Sequence, residues 1–527
     1  MPDDMAQVPL DQPTAEPPSA EPPSAASGPP RATRWRPSGL AAWLLVAFAG
    51  LGMLISTPPS AGPDEPAHEV TAWYLSAHGL RSSSIEWFSA PTSFLIDPCF
   101  KLESAVSAAC APNPTSAEST VSTTLVLPYP PPYYWAVGAG ERLAAALAGI
   151  EYADVGGRLA SFILNFGTLL LLSLYMRRRN QWWGTFLLLV STPMAVFMGI
   201  VVNPNGWEIT CGIVMAAVLS EAVWSRQSLG SDTWPKTTTL LLAGVSVALC
   251  LARPLGFVWA AGLTVSAFAL TPSINRRLLL RVACAVAPGI VLGLFWSLAY
   301  PTLAPGTASG ALTGPPPAIY FAAWFVVSLV FLPLRLEQMF GVLGWLDTPA
   351  PALLFLAMVV AWGALLIKLP SIRKAAVLCG IFGIVIIPSA IETSGWASWP
   401  WWQGRYTLPF ALGFLLLLLL RSGQLIPRTI SIVSGISLLS LGVMVWVNAI
   451  RYDFGLGDFG LPVSLGQQGI SPVRLWLSVG LGALLLLASG YVLASAWRME
   501  PDRRSSPEPE PLPKHPVSLS ADGSADA

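Results

Sequence analysis

The residues best suited to chemistry stand together in Gly62-Pro63-Asp64-Glu65-Pro66-Ala67-His68-Glu69. Asp64 precedes a segment that predicts a helix from Glu65 towards His78, stopped by Gly79. There Asp64 can cap the helix, and Glu65 can complement its positive end. An acidic pair can also transfer groups: one carboxylate takes the proton from an attacking hydroxyl, and its neighbour orients that hydroxyl or holds a divalent ion, Mg or Mn. The two roles are compatible. His68 follows Asp64 by four positions, on the same helical face. Two metal ligands without a third make a poor site, so a hydrogen-bonded interfacial histidine is the simpler expectation. Asp64, Glu65, His68 and Glu69 stay open as donors to a cation.

Further polar and aromatic motifs follow along the chain. Pro128-Tyr129-Pro130-Pro131-Pro132-Tyr133-Tyr134-Trp135 is extended by its prolines. It reads either as an aromatic belt at headgroup level or as a wall for a sugar or isoprenoid, with Tyr129 and Tyr133 as contacts. Arg158, Arg253 and Arg405 fall at the ends of apolar runs. Arginines are tolerated there, and there they could also converge on a phosphate. Arg405 and Tyr406 close the motif Trp399-Pro400-Trp401-Trp402-Gln403-Gly404-Arg405-Tyr406, and Asp347 lies in Leu343-Gly344-Trp345-Leu346-Asp347-Thr348. Cys99 and Cys110, the two cysteines outside the apolar runs, are disulfide candidates in an oxidising compartment.

These groups have to be positioned by elements that the composition makes apolar. Of 527 residues, 53% are hydrophobic and only 11% charged, against roughly 25% charged in soluble domains. The formal net charge is zero, and nothing in it predicts a nucleic-acid partner. Uncharged runs long enough for the ~20 residues of a crossing helix recur along the chain. Twelve are expected: Gly39–Thr57, Asp154–Met176, Trp182–Val202, Trp207–Trp224, Thr238–Leu251, Leu255–Thr271, Leu279–Ala299, Ala350–Ile367, Ala375–Ile391, Arg405–Leu420, Thr429–Asn448 and Arg474–Trp497. The fold class is therefore an all-α polytopic membrane protein. Residues 1–38 and 498–527, rich in Pro, Ser and Glu, read as disordered tails around the domain 39–497. The first span reads as retained rather than cleaved. With both termini cytoplasmic, 20 of the 29 Lys and Arg face inwards. Two long outer loops result, 58–153 and 301–349. Ala318–Pro333 is expected to lie in the second as an interfacial or re-entrant helix. Every distinctive motif then sits on one face of a plasma-membrane protein.

Five of these motifs together resemble a known family. Pro63-Asp64-Glu65-Pro66-Ala67-His68, Tyr129-Pro130-Pro131-Pro132-Tyr133-Tyr134, Gly157-Arg158-Leu159, Leu343-Gly344-Trp345-Leu346-Asp347-Thr348, and Gln403-Gly404-Arg405-Tyr406 with Pro409 fall in the order of the bacterial membrane proteins catalogued as domain of unknown function 2142. The resemblance runs from about Leu51 to Leu420. That family in turn resembles the GT-C glycosyltransferases, which use polyprenyl-phosphate sugars at the outer face of the membrane. It implies an aspartate in the first outer loop as catalytic base or metal holder, a role that falls to Asp64 with Glu65 second. Arg253 and Arg405 are our own candidates for the lipid phosphate. The chain departs from the pattern in placing Glu69 where an aromatic is expected after His68. It also ends in a polar tail, where many GT-C enzymes carry a soluble domain.

The expectation is an inverting glycosyltransferase embedded in membrane lipid. It would move a sugar from a polyprenyl-phosphate donor onto an envelope glycan, lipid or protein. His68, Arg158, Arg253, Asp347, Arg405, Tyr406, Tyr129 and Tyr133 would bind substrate. The alternatives are a flippase for lipid-linked sugars or a polysaccharide exporter, and a non-enzymatic envelope scaffold. The near absence of acids within the spans favours chemistry at one face over transport through the bundle.

Overall fold

Helix starts follow the caps and prolines of the sequence in a computed structural model. It describes residues 37–80, 88–95, 98–111, 119–122, 124, 126–224, 236–271, 276–300, 318–368, 373–394, 402–422, 426–457, 461–463 and 470–499. Most of both tails, the stretch 301–317 and Trp399-Pro400-Trp401 lie outside these residues. The Ser38 hydroxyl accepts the Ala41 N–H at 3.1 Å and opens α1 (Gly39–Ser56). Helices α2 (Glu65–His78), α3 (Pro132–Ala148) and α4 (Ala153–Met176) follow. Proline stands in the first turn of α2 and α3, where its missing N–H costs nothing.

Among the described residues, eight helical stretches are long and apolar enough to cross a membrane, and the protein is an all-α polytopic membrane protein. Besides α1 and α4 they include α7 (Pro204–Val223), α10 (Arg276–Ala299), α17 (Pro427–Phe454) and α18 (Pro472–Trp497). Lys374–Thr393 runs through α14 (Arg373–Ile381), a π-helical turn and α15 (Ile387–Ser394). Gly404–Ser422 comprises one 3-10 turn and α16 (Leu408–Ser422).

The expected twelve are not all reached. Three appear as shorter helices: α8 (Lys236–Cys250), α9 (Gly256–Ala269) and α13 (Ala352–Ile367). Their 14 to 16 residues extend roughly 21–24 Å at ~1.5 Å per residue, short of a ~30 Å hydrocarbon core. Trp182–Val202 is not one helix. It divides into α5 (Trp183–Val190) and α6 (Pro193–Met198), because the Thr192 side chain caps Ala195 N–H at 3.3 Å and Pro193 starts a new turn. The Ala318–Pro333 segment forms α11 (Ala318–Val330), continued by α12 (Leu332–Gly341) after a 58° bend. The bent pair is either one broken span, which brings the total among the described residues to nine, or a re-entrant loop of the kind expected.

Helices α7, α16 and α17 are mostly buried, whereas α10 and α18 expose apolar faces through Phe295, Leu298, Trp476 and Leu487. Such faces suit contact with lipid. At the end of the bundle where α1 stops, α2 packs on α3, and α3 on α4. A hairpin of β1 (Phe88–Pro91) and β2 (Ser119–Ser122) pairs Phe88 with Ser122 and Pro91 with Ser119. A second hairpin pairs β3 (Val342–Leu343) with β4 (Thr348–Pro349) around a turn holding Asp347. Cys99 and Cys110 are disulfide-bonded, with Cα atoms 6.1 Å apart. The loop they close offers the carbonyls of Phe100, Glu103 and Val106 to the buried Arg451 guanidinium near the end of α17.

Candidate functional site

Asp64 is held by its neighbours. The Pro63 carbonyl accepts a hydrogen bond from Asn203 Nδ2 at 2.8 Å. Glu65, fully buried, accepts from Arg158 Nε at 2.8 Å and Nη2 at 2.6 Å, from Gly62 N–H at 2.8 Å and from Val202 N–H at 3.0 Å. Arg158 gives its remaining donors to the carbonyls of Thr57 and Pro58, both at 2.7 Å. Glu65 and Arg158 thus fasten α1, α2 and α4 together and are fully engaged with each other and the backbone.

Between these anchors Asp64 adopts a left-handed backbone, φ 60°, at a cost of roughly 1–2 kcal/mol for a residue with a Cβ. Although Asp64 stands before the first turn of α2, its side chain makes no capping bond; its carbonyl accepts from Ala67 and His68 N–H instead. The expected cap is therefore corrected. The left-handed turn sends the carboxylate to Arg405 Nη2, at 2.7 Å.

Arg405 comes from the other end of the chain, on a tightly held turn. Trp402 N–H donates to Glu392 at 3.1 Å, and Gly404 N–H donates to Gln338 Oε1 at 2.8 Å. Glu392 is itself paired with Arg335 at 3.0 Å. A Cβ on Gly404 would stand 2.1 Å from the Arg335 carbonyl oxygen, so only glycine lets the turn pass so close to α12. Arg405 donates Nε–H to Gln403 Oε1 and Nη2–H to Tyr406 Oη at 3.2 Å. Its Nη1 is buried with no partner.

A second guanidinium stands across the same aromatic ring. Arg253 lies 4.7 Å from the Tyr406 ring centre and Arg405 lies 4.9 Å from it, with Tyr129 5.7 Å from Arg253. Glu208 pairs with Arg253 at 3.7 Å and accepts from Asn205 at 3.2 Å. Arg253 Nε, like Arg405 Nη1, is buried without a partner. His68 bonds Tyr134 Oη through Nδ1 at 2.8 Å, against the Tyr129 and Tyr134 rings.

The charges follow from this packing. Burial alone would raise the Asp64 carboxyl, but the Arg405 guanidinium, with Arg253 behind it, holds it below the usual carboxylate value. Burial pushes His68 down to about 3, helped by the same two arginines. The site therefore offers a half-exposed ionised carboxylate, a neutral histidine, the guanidiniums of buried Arg405 and half-buried Arg253, each with one buried N–H without a partner, and a tyrosine-rich wall.

Asp64, His68, Tyr129, Arg253, Arg405 and Tyr406 are thus brought together, and the rest are not. Glu69 turns inwards towards Glu65, Asp154 and Glu141. Its carboxyl, like that of Glu141, is buried with no hydrogen-bond partner. Burial and the neighbouring acids raise Glu69 well above its ordinary value. Tyr133 bonds Ser161 at 3.1 Å in the core. Asp347 accepts from Leu102 N–H at 3.1 Å and Arg451 at 3.3 Å, tying the second hairpin to the disulfide loop. No group of three or more His, Cys, Asp or Glu among the described residues is arranged to hold a metal ion. The partners of Asp64 are cationic and Glu65 is saturated, so Mg or Mn does not fit the side chains present. Three contributors are not singled out as site residues by the sequence: Tyr134 and Gln403, which stand inside two of the motifs, and Glu208 in a buried turn of α7.

No curated protein and no solved structure matches the chain. Residues 46–414 match the family model described as "Predicted membrane protein (DUF2142)", and the chain belongs to that family.

Proposed function

We propose that this protein is an inverting glycosyltransferase that takes a sugar from a polyprenyl-phosphate donor at the outer face of the plasma membrane, with both termini in the cytoplasm. The observation that carries the reading is the Asp64–Arg405 contact. A half-exposed ionised carboxylate stands 2.7 Å from a buried guanidinium nitrogen, and Nη1 of the same group has no partner. Transfer from a lipid phosphate needs both functions side by side. The acceptor hydroxyl oxygen attacks the anomeric carbon, and its proton passes to the Asp64 carboxylate. The bond from that carbon to the phosphate oxygen breaks, leaving its electron pair on the phosphate. Attack opposite the departing group inverts the anomeric centre. Arg405 and Arg253 stabilise the charge growing on the phosphate. Tyr129 and Tyr406, backed by the buried and neutral His68, supply apolar and hydrogen-bonding surface to a sugar ring. The acceptor is a glycan, lipid or protein of the cell envelope.

The test is transfer of radiolabel from a panel of polyprenyl-phosphate sugars to envelope extracts, by purified protein in lipid. Wild type is expected to transfer and Asp64→Asn to fail while remaining folded. Full activity in Asp64→Asn refutes the assignment. Movement of lipid-linked sugar across vesicles without a glycosidic product points to a flippase or exporter instead. Tolerance of alanine at Asp64 and Arg405 together points to a scaffold.

A further inference from the structure

The same guanidinium is asked to serve two anions. In the transferase reading, on which this inference rests, Arg405 holds the donor phosphate and Asp64 stands free to take a proton. Here Asp64 is bound to Arg405. Of the two side chains Arg405 is 1% exposed and Asp64 47%, so the carboxylate lies on the accessible side of the pair. The neighbouring backbone is fixed by Asn203 on Pro63 and by Arg158 on Glu65, which leaves side-chain rotation as the freedom Asp64 has. Water reaches the carboxylate and screens its side of the pair. The phosphodiester of the donor matches a carboxylate in charge and can accept parallel bonds from both terminal nitrogens of an arginine, and it gains charge as the sugar leaves. Nη1, buried and unpartnered, is one such donor already in place.

We propose that Asp64 masks the anion site of Arg405. In the unliganded protein its carboxylate occupies the place of the lipid phosphate, and the arriving phosphate turns it out as a free base. Donor binding thereby switches on the group that activates the acceptor, and the order of binding is donor first. Freed from the guanidinium that holds its proton affinity low, Asp64 becomes a stronger base only when a sugar is there to be transferred.

The experiment labels Asp64 with dicyclohexylcarbodiimide, which reacts with protonated carboxyls, and maps the product by mass spectrometry. The protein is held in phosphatidylcholine nanodiscs with a polyprenyl phosphate carrying no sugar, or with the corresponding polyprenol. Binding is followed separately by tryptophan fluorescence. The phosphate is expected to raise labelling of Asp64 by at least about tenfold, the effect of one unit in pKa, and the alcohol to leave it unchanged. Arg405→Gln should label at the high rate with no ligand. As a check independent of that variant, the acid limb of kcat in wild type should lie at higher pH than that of kcat/KM, since the first reports the bound enzyme and the second the free one. If the phosphate binds and labelling stays unchanged, masking is overturned while the transferase reading stands. If the phosphate does not bind, both fall. Coincident acid limbs also overturn masking.

Discussion

Replacing Glu65 by alanine and Asp64 by asparagine separates two adjacent acids into different kinds of residue. Glu65 is fully buried and holds Arg158 through two bonds. Removing one partner of a buried pair costs about 3–5 kcal/mol. The N–H groups of Gly62 and Val202 also lose their acceptor, and an orphaned buried donor costs about 1–3 kcal/mol. Some of that is recovered by water, so the expected loss is at least about 3 kcal/mol. Asp64 is half-exposed, and asparagine keeps an amide oxygen that can accept from the buried Arg405, so the loss stays at the ~1 kcal/mol of one hydrogen bond. Asparagine also tolerates the left-handed backbone at this position. Asp64→Asn should therefore unfold nearly like wild type while losing about 10²–10⁴-fold in transfer rate, the usual contribution of a general base. The assay is heat and denaturant unfolding in nanodiscs, followed by tryptophan fluorescence, beside transfer rates on the same samples. Equal destabilisation by the two substitutions, or wild-type unfolding of Glu65→Ala, would refute the division of labour.

Three more substitutions probe the surroundings of the site. Burial, reinforced by Asp154 and only partly offset by Arg142, raises the Glu141 carboxyl well above its ordinary value. The folded state thus holds this proton more tightly than the unfolded chain, and its contribution is full below the ordinary carboxylate pKa and lost as pH rises. Glu141→Gln should match wild type near pH 4 and melt at a higher temperature at pH 9; parallel melting curves at all pH values would contradict this. Cys110→Ser opens the loop closed by cysteines 11 residues apart, for a loss of about 3 kcal/mol by loop entropy. Reductant should reproduce the loss in wild type and add nothing to the variant. Gly404→Ala forces a Cβ against the Arg335 carbonyl and displaces the turn bearing Arg405. Transfer should fall by about 10²-fold, the cost of an ångström of misplacement, with unchanged rates as the contrary result.

Much of this arrangement was legible in residue types. An acid after the first span, tyrosines among prolines, and arginines at the ends of later apolar runs marked Asp64, Tyr129, Arg253 and Arg405, and the structure brings them together. What spacing could not show is that Asp64 and Glu65 point to different partners, because that depends on a left-handed turn fixed by Asn203 and Arg158 from distant helices. Nor could it show that Arg158 and Asp347 are consumed by buried partners, Glu65 and Arg451. Hydropathy located the apolar runs but overlooked the Thr192-Pro193 start that splits Trp182–Val202. It also gave no sign that the runs now seen as α8, α9 and α13 form helices of only 14 to 16 described residues.

The pairing of Asp64 with Arg405 joins positions 341 residues apart, and Arg451 meets Phe100 across 351. A ribosome working at roughly 5–20 residues per second delivers these partners some 17–70 s after the first loop. Throughout that interval Asp64 lacks the guanidinium that it binds, and the disulfide loop has no Arg451 among its carbonyls. In the transferase reading, a nascent or truncated chain ending before residue 405 carries the acid without Arg405, so its phosphate site is incomplete and Asp64 has nothing to hold it closed. Competence at this site is a property of the nearly completed chain, and premature termination leaves an inert fragment rather than an unregulated one.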